Sequence, residues 1–282
     1  MKLAQKLAIK YVKARLKMLS LVSKKKAAKK ALKLFSTPIL KSKTKNPAVF
    51  SKGEKLSFHL DELIIRGHRW LPKQIPLKRI LICHGFESNT KKFSAYISAF
   101  IKKGYEVLAF DAPAHGESDG KQITLPLYVR MIKEINSNYG PIQSFMAHSF
   151  GGLAVAHFLE ETSHDSDTRL VLIAPATETK TAVDKFFGLL ELDEETRKEF
   201  DELILENIGK PQEYFSVRRA MKNINASVLW VHDEEDEITP ISDVMNVEKD
   251  NHRNIEFMLT KGLGHRKIYR DEAVMRRVVE FL

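Results

Sequence analysis

The segment from Ala147 to Gly152 reads Ala-His-Ser-Phe-Gly-Gly and stands directly before an apolar helical pattern. A serine on a sharp turn from a strand into a helix needs small residues two positions before and two positions after it, because the two backbones approach closely there. Ala147 and Gly151 meet this need around Ser149. The spacing predicts a serine nucleophile, with an ordinary helix N-cap as the alternative interpretation.

Two later loops offer an imidazole and a carboxylate to such a serine. His265 ends Gly262–His265, a glycine-flanked loop after a predicted strand that we expect to be flexible, and Asp236 follows the preceding strand. Asp233, nearer to that strand's end, is the alternative acid. In this chemistry the histidine takes the serine proton, and the carboxylate orients the imidazole and stabilises its charged form.

The same chemistry needs donors for the negative oxygen of a tetrahedral intermediate. His84, Gly85 and Phe86 follow a predicted strand, where a loop can present a backbone N–H. We expect the amide of Phe86 to be one donor and the amide of Phe150, directly after the serine, to be the second.

Several other histidines stand near predicted strand ends: His84, His115, His148 and His232. A metal site is the alternative interpretation, but none of them shows a His-Glu-x-x-His pairing or comparable ligand spacing. We therefore expect His84 and His148 to order loops through hydrogen bonds to the backbone, and we expect no metal site. The single cysteine, Cys83, is predicted to be a small buried hydrophobe rather than a nucleophile.

The elements that must position these side chains alternate between short apolar runs and longer helical patterns. Runs such as Ile80–Ile82 and Val171–Ile173 are apolar throughout, which is typical of strands buried on both faces. The alternation predicts an α/β fold with a mostly parallel, eight-stranded sheet, and the tight Asp61–Glu62 link predicts an antiparallel pair at one edge. The predicted strands cover residues 55–60, 63–70, 79–83, 106–111, 142–147, 170–174, 227–232 and 255–260, and the predicted helices cover residues 93–102, 125–138, 150–161, 242–249 and 271–281.

Residues 176–222 interrupt this alternation with helical stretches and no convincing strand. An insertion of this size after the sixth strand predicts a small helical lid over the carboxyl edge of the sheet, where open α/β folds bind ligands. Its aromatic content mildly favours an apolar substrate group.

The net charge of +10 is unevenly distributed along the 282 residues. Residues 1–53 contain sixteen Lys or Arg and no Asp or Glu, whereas the remainder carries 30 basic and 36 acidic side chains. Lysines at helical spacing among leucines and valines predict a basic amphipathic arm over residues 1–45, followed by the main domain over residues 46–282.

Several interpretations of the arm are open. Its apolar side packs on the body of the protein, or the arm lies through residues 1–35 on an anionic membrane surface, or it is a mitochondrial presequence. Nucleic-acid contact is disfavoured because no aromatic residues are interleaved for base stacking. Because the insertion is rich in acidic residues, we also hypothesise that the arm folds back near it.

Composition excludes several classes of protein. Hydrophobic residues make up 43% and charged residues 29% of the chain, which excludes general disorder. No uncharged apolar run approaches the roughly 18 residues of a membrane span. One cysteine cannot form an internal disulfide or a thiolate zinc site, so we expect a cytoplasmic protein, at most peripheral to the inner face of the membrane.

The chain is similar to the α/β-hydrolase superfamily over about residues 54–282, and it looks most like bacterial serine hydrolases with a short helical cap. The chain order serine, acid, histidine agrees with that superfamily, whereas the alanine two residues before the serine departs from its usual glycine. The motifs that carry the resemblance are His84–Phe86, Asp111–Ser118, Ala147–Gly152, Asp236–Pro240 and Gly262–His265.

The resemblance implies a triad of Ser149, His265 and Asp236, an oxyanion hole of backbone amides, and no cofactor. We therefore expect a serine hydrolase that cleaves a carboxylic ester or thioester of a small-molecule acyl substrate through an acyl-enzyme at Ser149. One alternative is a non-catalytic binding module that keeps the fold. Another is a different serine-dependent reaction, such as acyl transfer, perhydrolysis or carbon–carbon bond hydrolysis.

Overall fold

One sheet of eight strands forms the centre of the fold in a computed structural model that describes residues 3–39 and 46–282. The strands are β1 (Glu54–Leu60), β2 (Leu63–Trp70), β3 (Arg79–Cys83), β4 (Glu106–Phe110), β5 (Ser144–His148), β6 (Arg169–Ile173), β7 (Ser227–Asp233) and β8 (Ile255–Thr260). Their order across the sheet is β1-β2-β4-β3-β5-β6-β7-β8. The pairs β1–β2 and β2–β4 are antiparallel, and all other neighbours are parallel. The predicted α/β class, the mostly parallel eight-stranded sheet and its antiparallel edge are confirmed.

Two helices precede the first strand, and further helices follow most of the strands. They are α1 (Leu3–Val22), α2 (Lys24–Phe35), α3 (Ser94–Lys103), α4 (Leu125–Tyr139), α5 (Phe150–Glu160), α6 (Thr179–Leu190), α7 (Glu194–Ile208), α8 (Val217–Met221), α9 (Ile241–Lys249), α10 (Gly264–Lys267) and α11 (Glu272–Phe281). Short 3-10 turns cover Ala48–Lys52, Thr90–Phe93, Gln212–Tyr214 and Ile268–Arg270.

The centre of the sheet is buried, as its continuous apolar runs predict. Every residue of β4 and β5 is buried, and in β3, β6 and β7 only the first residue is partly accessible. β5 begins later than predicted because the residues before it serve a loop, where the Ile142 N–H donates to Asn136 Oδ1 at 3.1 Å. It then extends through His148, which pairs with Ile173. Ser149 therefore follows directly on the end of a buried central strand.

The described chain divides into two compact units. The larger combines the described residues of Pro38–Thr177 with Val217–Leu282 and contains the whole sheet. The smaller combines the described residues of Met1–Thr37 with Glu178–Ser216, and so holds α1, α2, α6 and α7. The helices predicted separately as an arm over residues 1–45 and as part of an insertion over residues 176–222 thus share one unit.

Within the smaller unit, α2 packs against α7 through small side chains and one aromatic group. Ala27, Ala28 and Ala31 are fully buried in α2. At the end of the same helix, the ring centroid of Phe35 lies 5.2 Å from that of Phe186 and 6.0 Å from that of Phe200. Alanines allow the two helices to approach closely, and the aromatic cluster fills the space beyond them.

Ion pairs join the basic N-terminal helices to acidic residues at the turn between α6 and α7. Lys17 Nζ lies 2.7 Å from Glu191 Oε2, and Lys13 pairs with the same carboxylate. Lys24 Nζ lies 2.8 Å from Asp193 Oδ2. Hydrogen bonds from Lys13 and Lys17 lower the pKa of Glu191 to about 2. The hypothesis that the arm folds back near the acidic insertion is confirmed.

Asp193 also caps α7 and fixes its junction with α1. Its Oδ1 accepts the N–H of Thr196 at 2.8 Å, which satisfies a free amide of the first helical turn. Its Oδ2 accepts the hydroxyl of Ser20 at 2.6 Å, and Ser20 Oγ lies 2.9 Å from Thr196 Oγ1 in a buried contact. The carboxylate of Asp193 therefore caps the N-terminus of α7 and also binds α1 through Ser20.

None of the helices within residues 3–39 and 46–282 has the length and apolar character needed to cross a bilayer.

Candidate active site

Ser149 stands at the turn between β5 and α5 with backbone angles of φ 55° and ψ −122°, which few residues other than glycine adopt. Its N–H donates to the carbonyl of Ile173 at 3.1 Å, which holds the turn against β6. Gly151 lies so close to β3 that an added Cβ would be 2.6 Å from the carbonyl oxygen of Cys83. A glycine two positions after Ser149 is therefore required by the packing of α5 on the sheet.

One imidazole bridges the predicted nucleophile and the predicted acid. His265 Nε2 lies 2.9 Å from Ser149 Oγ, and His265 Nδ1 lies 2.7 Å from Asp236 Oδ2. An ionised carboxylate only accepts hydrogen bonds, so Nδ1 carries the proton and Nε2 accepts the hydroxyl of Ser149. The three side chains follow β5, β7 and β8, and the structure brings them together as the sequence predicts.

Asp236 is held in its ionised form. Its Oδ1 accepts the N–H groups of Ile238 and Thr239 at 2.8 and 2.9 Å, and its Oδ2 accepts the Thr239 hydroxyl at 2.8 Å. Burial alone raises the pKa of this carboxyl, but its bond to His265, the charge of that imidazole and the bonds from Thr239 outweigh burial and lower the pKa to about 2. Sequence analysis did not predict the contact between Thr239 and Asp236, although aspartate is a common turn residue whose side chain bonds to backbone groups just after it.

Asp233, the alternative acid, is used elsewhere. Its Oδ2 accepts the hydroxyl of Thr260 at 2.8 Å and the N–H of Leu263 at 3.0 Å, so it ties the end of β7 to the segment that follows β8. That segment differs from the predicted flexible loop, because Gly264–Lys267 forms the short helix α10. Asp233 thereby fixes the residues that lead from β8 into the turn that carries His265.

His148 contacts the backbone of the candidate base. Its Nε2–H donates to the main-chain carbonyl of His265 at 3.1 Å, and the two ring centroids lie 4.8 Å apart. Burial, together with repulsion from His265, lowers the pKa of His148 to about 3, so this imidazole is neutral at neutral pH. The prediction that His148 orders a loop through a backbone hydrogen bond is confirmed.

The loop after β3, which carries Phe86, stands against the serine. A Cβ on Gly85 would lie 2.8 Å from the Cβ of Ser149, so a side chain at that position would displace Ser149. Within the described ranges, neither the Phe86 amide nor the Phe150 amide donates a hydrogen bond to the protein. That the amides of Phe86 and Phe150 donate to an oxyanion therefore remains a prediction.

Two neutral histidines hold this loop. His84 Nε2 accepts the N–H of Ala112 at 2.9 Å, and its Nδ1–H donates to the Gly85 carbonyl at 2.8 Å. His115 Nε2 accepts the N–H of Glu87 at 3.0 Å. Burial lowers the pKa of each imidazole to about 4, so each keeps an acceptor nitrogen at neutral pH. The prediction that His84 orders a loop is confirmed.

The remaining strand-end groups also serve structure. His232 Nε2–H donates to the carbonyl of Thr239 at 2.8 Å. In the part of the chain that the structure describes, no group of three or more His, Cys, Asp or Glu side chains is arranged to hold a metal ion. Cys83 is buried, and burial raises the pKa of its thiol well above the ordinary value, as expected of an unreactive cysteine.

Part of the chain matches known proteins in sequence. Residues 74–201 match the family described as serine aminopeptidase, S33. YqkD of Bacillus subtilis strain 168, described as an uncharacterized protein, is 30% identical over 129 residues, which are 42% of this chain and 41% of that protein. The matched stretch therefore spans about two fifths of that relative's length.

Solved structures extend the likeness over most of the chain. The Pyrococcus furiosus esterase Pf2001 is 20% identical with a TM-score of 0.64, covering 88% of this chain and 97% of that one. Est1E from Butyrivibrio proteoclasticus, solved with ferulic acid bound, is 21% identical with a TM-score of 0.63, covering 80% of this chain and 97% of that one. At this identity the likeness concerns the fold alone. By its sheet order and its likeness to these structures, the chain has the α/β-hydrolase fold.

Proposed function

We propose that this protein is a serine hydrolase that cleaves a carboxylic ester or thioester through an acyl-enzyme on Ser149. The observation that carries the proposal is the position of His265, within 2.9 Å of Ser149 Oγ and 2.7 Å of Asp236 Oδ2. Both distances lie within the reach required of a nucleophile, its base and the group that orients the base. The esterase Pf2001, which shares the fold, supports esters as the substrate class.

The triad geometry gives each residue one task. His265 Nε2 takes the hydroxyl proton while Ser149 Oγ forms a bond to the substrate carbonyl carbon, whose oxygen receives the electron pair. Asp236 is ionised above about pH 2, keeps the proton on Nδ1 and stabilises the imidazolium. When the tetrahedral intermediate collapses, the alcohol or thiol leaves with the proton from His265.

Deacylation uses the same groups with water as the nucleophile. His265 takes a proton from water, the hydroxide oxygen attacks the acyl carbon, and the carboxylic acid leaves as Ser149 regains its proton. In both steps the amides of Phe86 and Phe150 are the proposed donors to the oxyanion. In comparable sites each such donor contributes about 3 kcal/mol to stabilisation of the transition state.

The proposal is tested with aryl esters and acyl thioesters whose acyl chains run from acetyl to dodecanoyl. Wild type is expected to hydrolyse part of this panel, and Ser149→Ala and His265→Ala should each lower kcat by roughly three orders of magnitude or more. The matched control is Ser144→Ala, which removes another buried serine hydroxyl, at the start of the preceding strand β5, and should keep the activity.

Hydrolysis that persists in Ser149→Ala would contradict the acyl-enzyme. Failure of wild type to cleave any ester or thioester would contradict the substrate class. Rapid acid quench during turnover adds an independent observation, because an acyl group should be found on Ser149 and on no other residue.

A further inference from the structure

Helix α1 has two apolar faces, and only one of them is covered. The covered face includes Leu16 and Ser20, both buried. On the other side stand five large apolar side chains with exposed fractions between 58% and 86%: Leu7, Tyr11, Met18, Leu21 and Val22. They make up five of the fifteen exposed large hydrophobic side chains in the described chain, which is a concentration that scattered surface residues do not produce.

These five residues occupy one continuous face. Positions 7, 11, 18 and 22 are separated by four, seven and four residues, the spacing that repeats along one side of a helix. Leu21 falls within the same arc, as does Ala14, which is also exposed. The exposed face therefore runs almost the length of α1, and we call it the outer face.

Basic residues border the outer face. At 100° per residue, Lys10 and Lys17 fall on one side of it and Arg15 on the other. Lys17 is paired with Glu191, whereas Lys10 and Arg15 make no ion pair among residues 3–39 and 46–282. Because the first 53 residues contain no Asp or Glu, no acid of the helix itself opposes this charge.

We propose that the outer face of α1 docks on a membrane surface rich in anionic lipid, with α1 lying parallel to the bilayer. An apolar strip bordered by cations is complementary to a surface whose interior is apolar and whose headgroups are negative. The ion pairs of Lys13 and Lys17 with Glu191 hold α1 against the turn between α6 and α7 within the smaller unit, so the outer face is presented on an ordered scaffold. This proposal does not depend on the proposed function.

Flotation of the full chain with vesicles tests the proposal. We expect the protein to float with vesicles of phosphatidylcholine and phosphatidylglycerol at low salt, and to float less at high salt or with phosphatidylcholine alone. Substituting Met18→Gln, Leu21→Gln and Val22→Gln together should lower the partition coefficient about tenfold or more, because three exposed apolar groups no longer enter the interface. Glutamine keeps helix propensity, and circular dichroism checks that the helices persist.

The matched control changes three exposed apolar residues in the larger unit, Leu71→Gln, Ile75→Gln and Leu77→Gln, and should float like wild type. A second variant, Lys10→Gln with Arg15→Gln, should lower binding to anionic vesicles about fivefold per charge removed and leave binding to neutral vesicles unchanged.

Two results of the flotation experiment would overturn the proposal. In the first, wild type stays in the soluble fraction when it is mixed with anionic vesicles at low salt. In the second, the outer-face variant floats as well as wild type. A third comes from light scattering without lipid. If wild type is a dimer and the outer-face variant is a monomer, a second copy of the chain covers this face instead.

Discussion

His148 and His265 are joined by a hydrogen bond in which one imidazole holds the backbone of the other: His148 Nε2–H donates to the main-chain carbonyl of His265 at 3.1 Å. His148 directly precedes Ser149, so this bond joins the turn that carries Ser149 to the turn that carries His265, in addition to the bond between His265 Nε2 and Ser149 Oγ. Because His148 touches neither Ser149 Oγ nor the proton in transfer, it is a positioning residue.

Replacing His148 with leucine removes this donor and should lower kcat by about ten- to a hundredfold, because small displacements of a catalytic base have effects of that size. KM should change little, since His148 does not contact the substrate carbonyl in the proposed mechanism. In His148→Gln the side-chain amide can donate from a similar position, so most of the kcat should return. Equal kcat values for wild type and both variants would contradict a positioning effect.

Substitutions of the two candidate acids should affect different properties: kcat for Asp236 and folding stability for Asp233. Asp236→Asn removes the charge beside His265 Nδ1 and should lower kcat by about three to four orders of magnitude with little loss of folding stability. Asp233→Asn weakens the link to Thr260 and Leu263, so it should lower the free energy of unfolding by about 1 to 3 kcal/mol and kcat by less than about tenfold. Ester kinetics and urea titration on both variants measure this difference, and the reverse pattern would assign the acid to Asp233.

The space around two glycines predicts opposite results when each is replaced by alanine. In Gly151→Ala the new methyl group would stand 2.6 Å from the Cys83 carbonyl oxygen and 2.7 Å from that of His84, so the variant should lose activity and fold poorly. Gly188 lies within α6 with open space around it, and Gly188→Ala should stabilise that helix by about 0.5 to 1 kcal/mol. Thermal melts by circular dichroism and ester assays compare the two, and a fully active Gly151→Ala would contradict the close contact.

Buried neutral histidines predict loss of stability in mild acid. Burial lowers the pKa values of His84, His115 and His157 to about 4 and that of His148 to about 3, from an ordinary 6.5. Between pH 6.5 and 4 the unfolded chain binds protons that the folded chain does not, so the stabilisation is fully present above pH 6.5 and is lost as the pH falls toward 4. Each histidine adds up to about 1.4 kcal/mol per pH unit to that slope.

Urea titrations followed by tryptophan fluorescence measure this slope in the larger unit, because Trp70 and Trp230 both belong to it. His157→Gln should flatten the pH dependence by the share of one histidine and leave the triad in place. A free energy of unfolding that is constant from pH 7 to pH 5 would contradict the buried neutral state.

The junction of the smaller unit should depend on Asp193 more than on its acidic neighbour. Asp193→Ala removes the N-cap of α7 and the contacts to Ser20 and Lys24, and should weaken protection of α1 amides against hydrogen exchange by about 1 to 2 kcal/mol. The control Glu195→Ala removes an exposed partner of Lys24 and should cost less than about 0.5 kcal/mol. Equal protection in the two variants would contradict the capping assignment.

Much of the candidate active site could be predicted because it follows from local patterns. Runs such as Ile80–Ile82 define buried strands, and parallel strands bring their carboxyl ends, and hence Ser149, Asp236 and His265, to one edge. The contacts of Thr239 and His148 with these groups could not be predicted, because they depend on how separate loops meet in space.

Which face of α1 is covered also could not be predicted from the sequence. Leucines and valines occupy much of its circumference, so the hydrophobic pattern does not indicate which side is covered. That choice is made by side chains more than 170 positions away, Asp193 and Thr196, which bind Ser20. Sequence analysis therefore finds an amphipathic arm, and the structure is needed to find its outer face.

Covalent trapping of the nucleophile tests the triad most directly. Treated with a fluorophosphonate and measured by intact mass and peptide mapping, the wild-type chain should gain one adduct, on Ser149, more slowly in His265→Ala and not at all in Ser149→Ala. A wild-type chain that stays unmodified while an authentic serine esterase is labelled beside it, or an adduct that persists in Ser149→Ala, would contradict a serine nucleophile activated by His265 and Asp236.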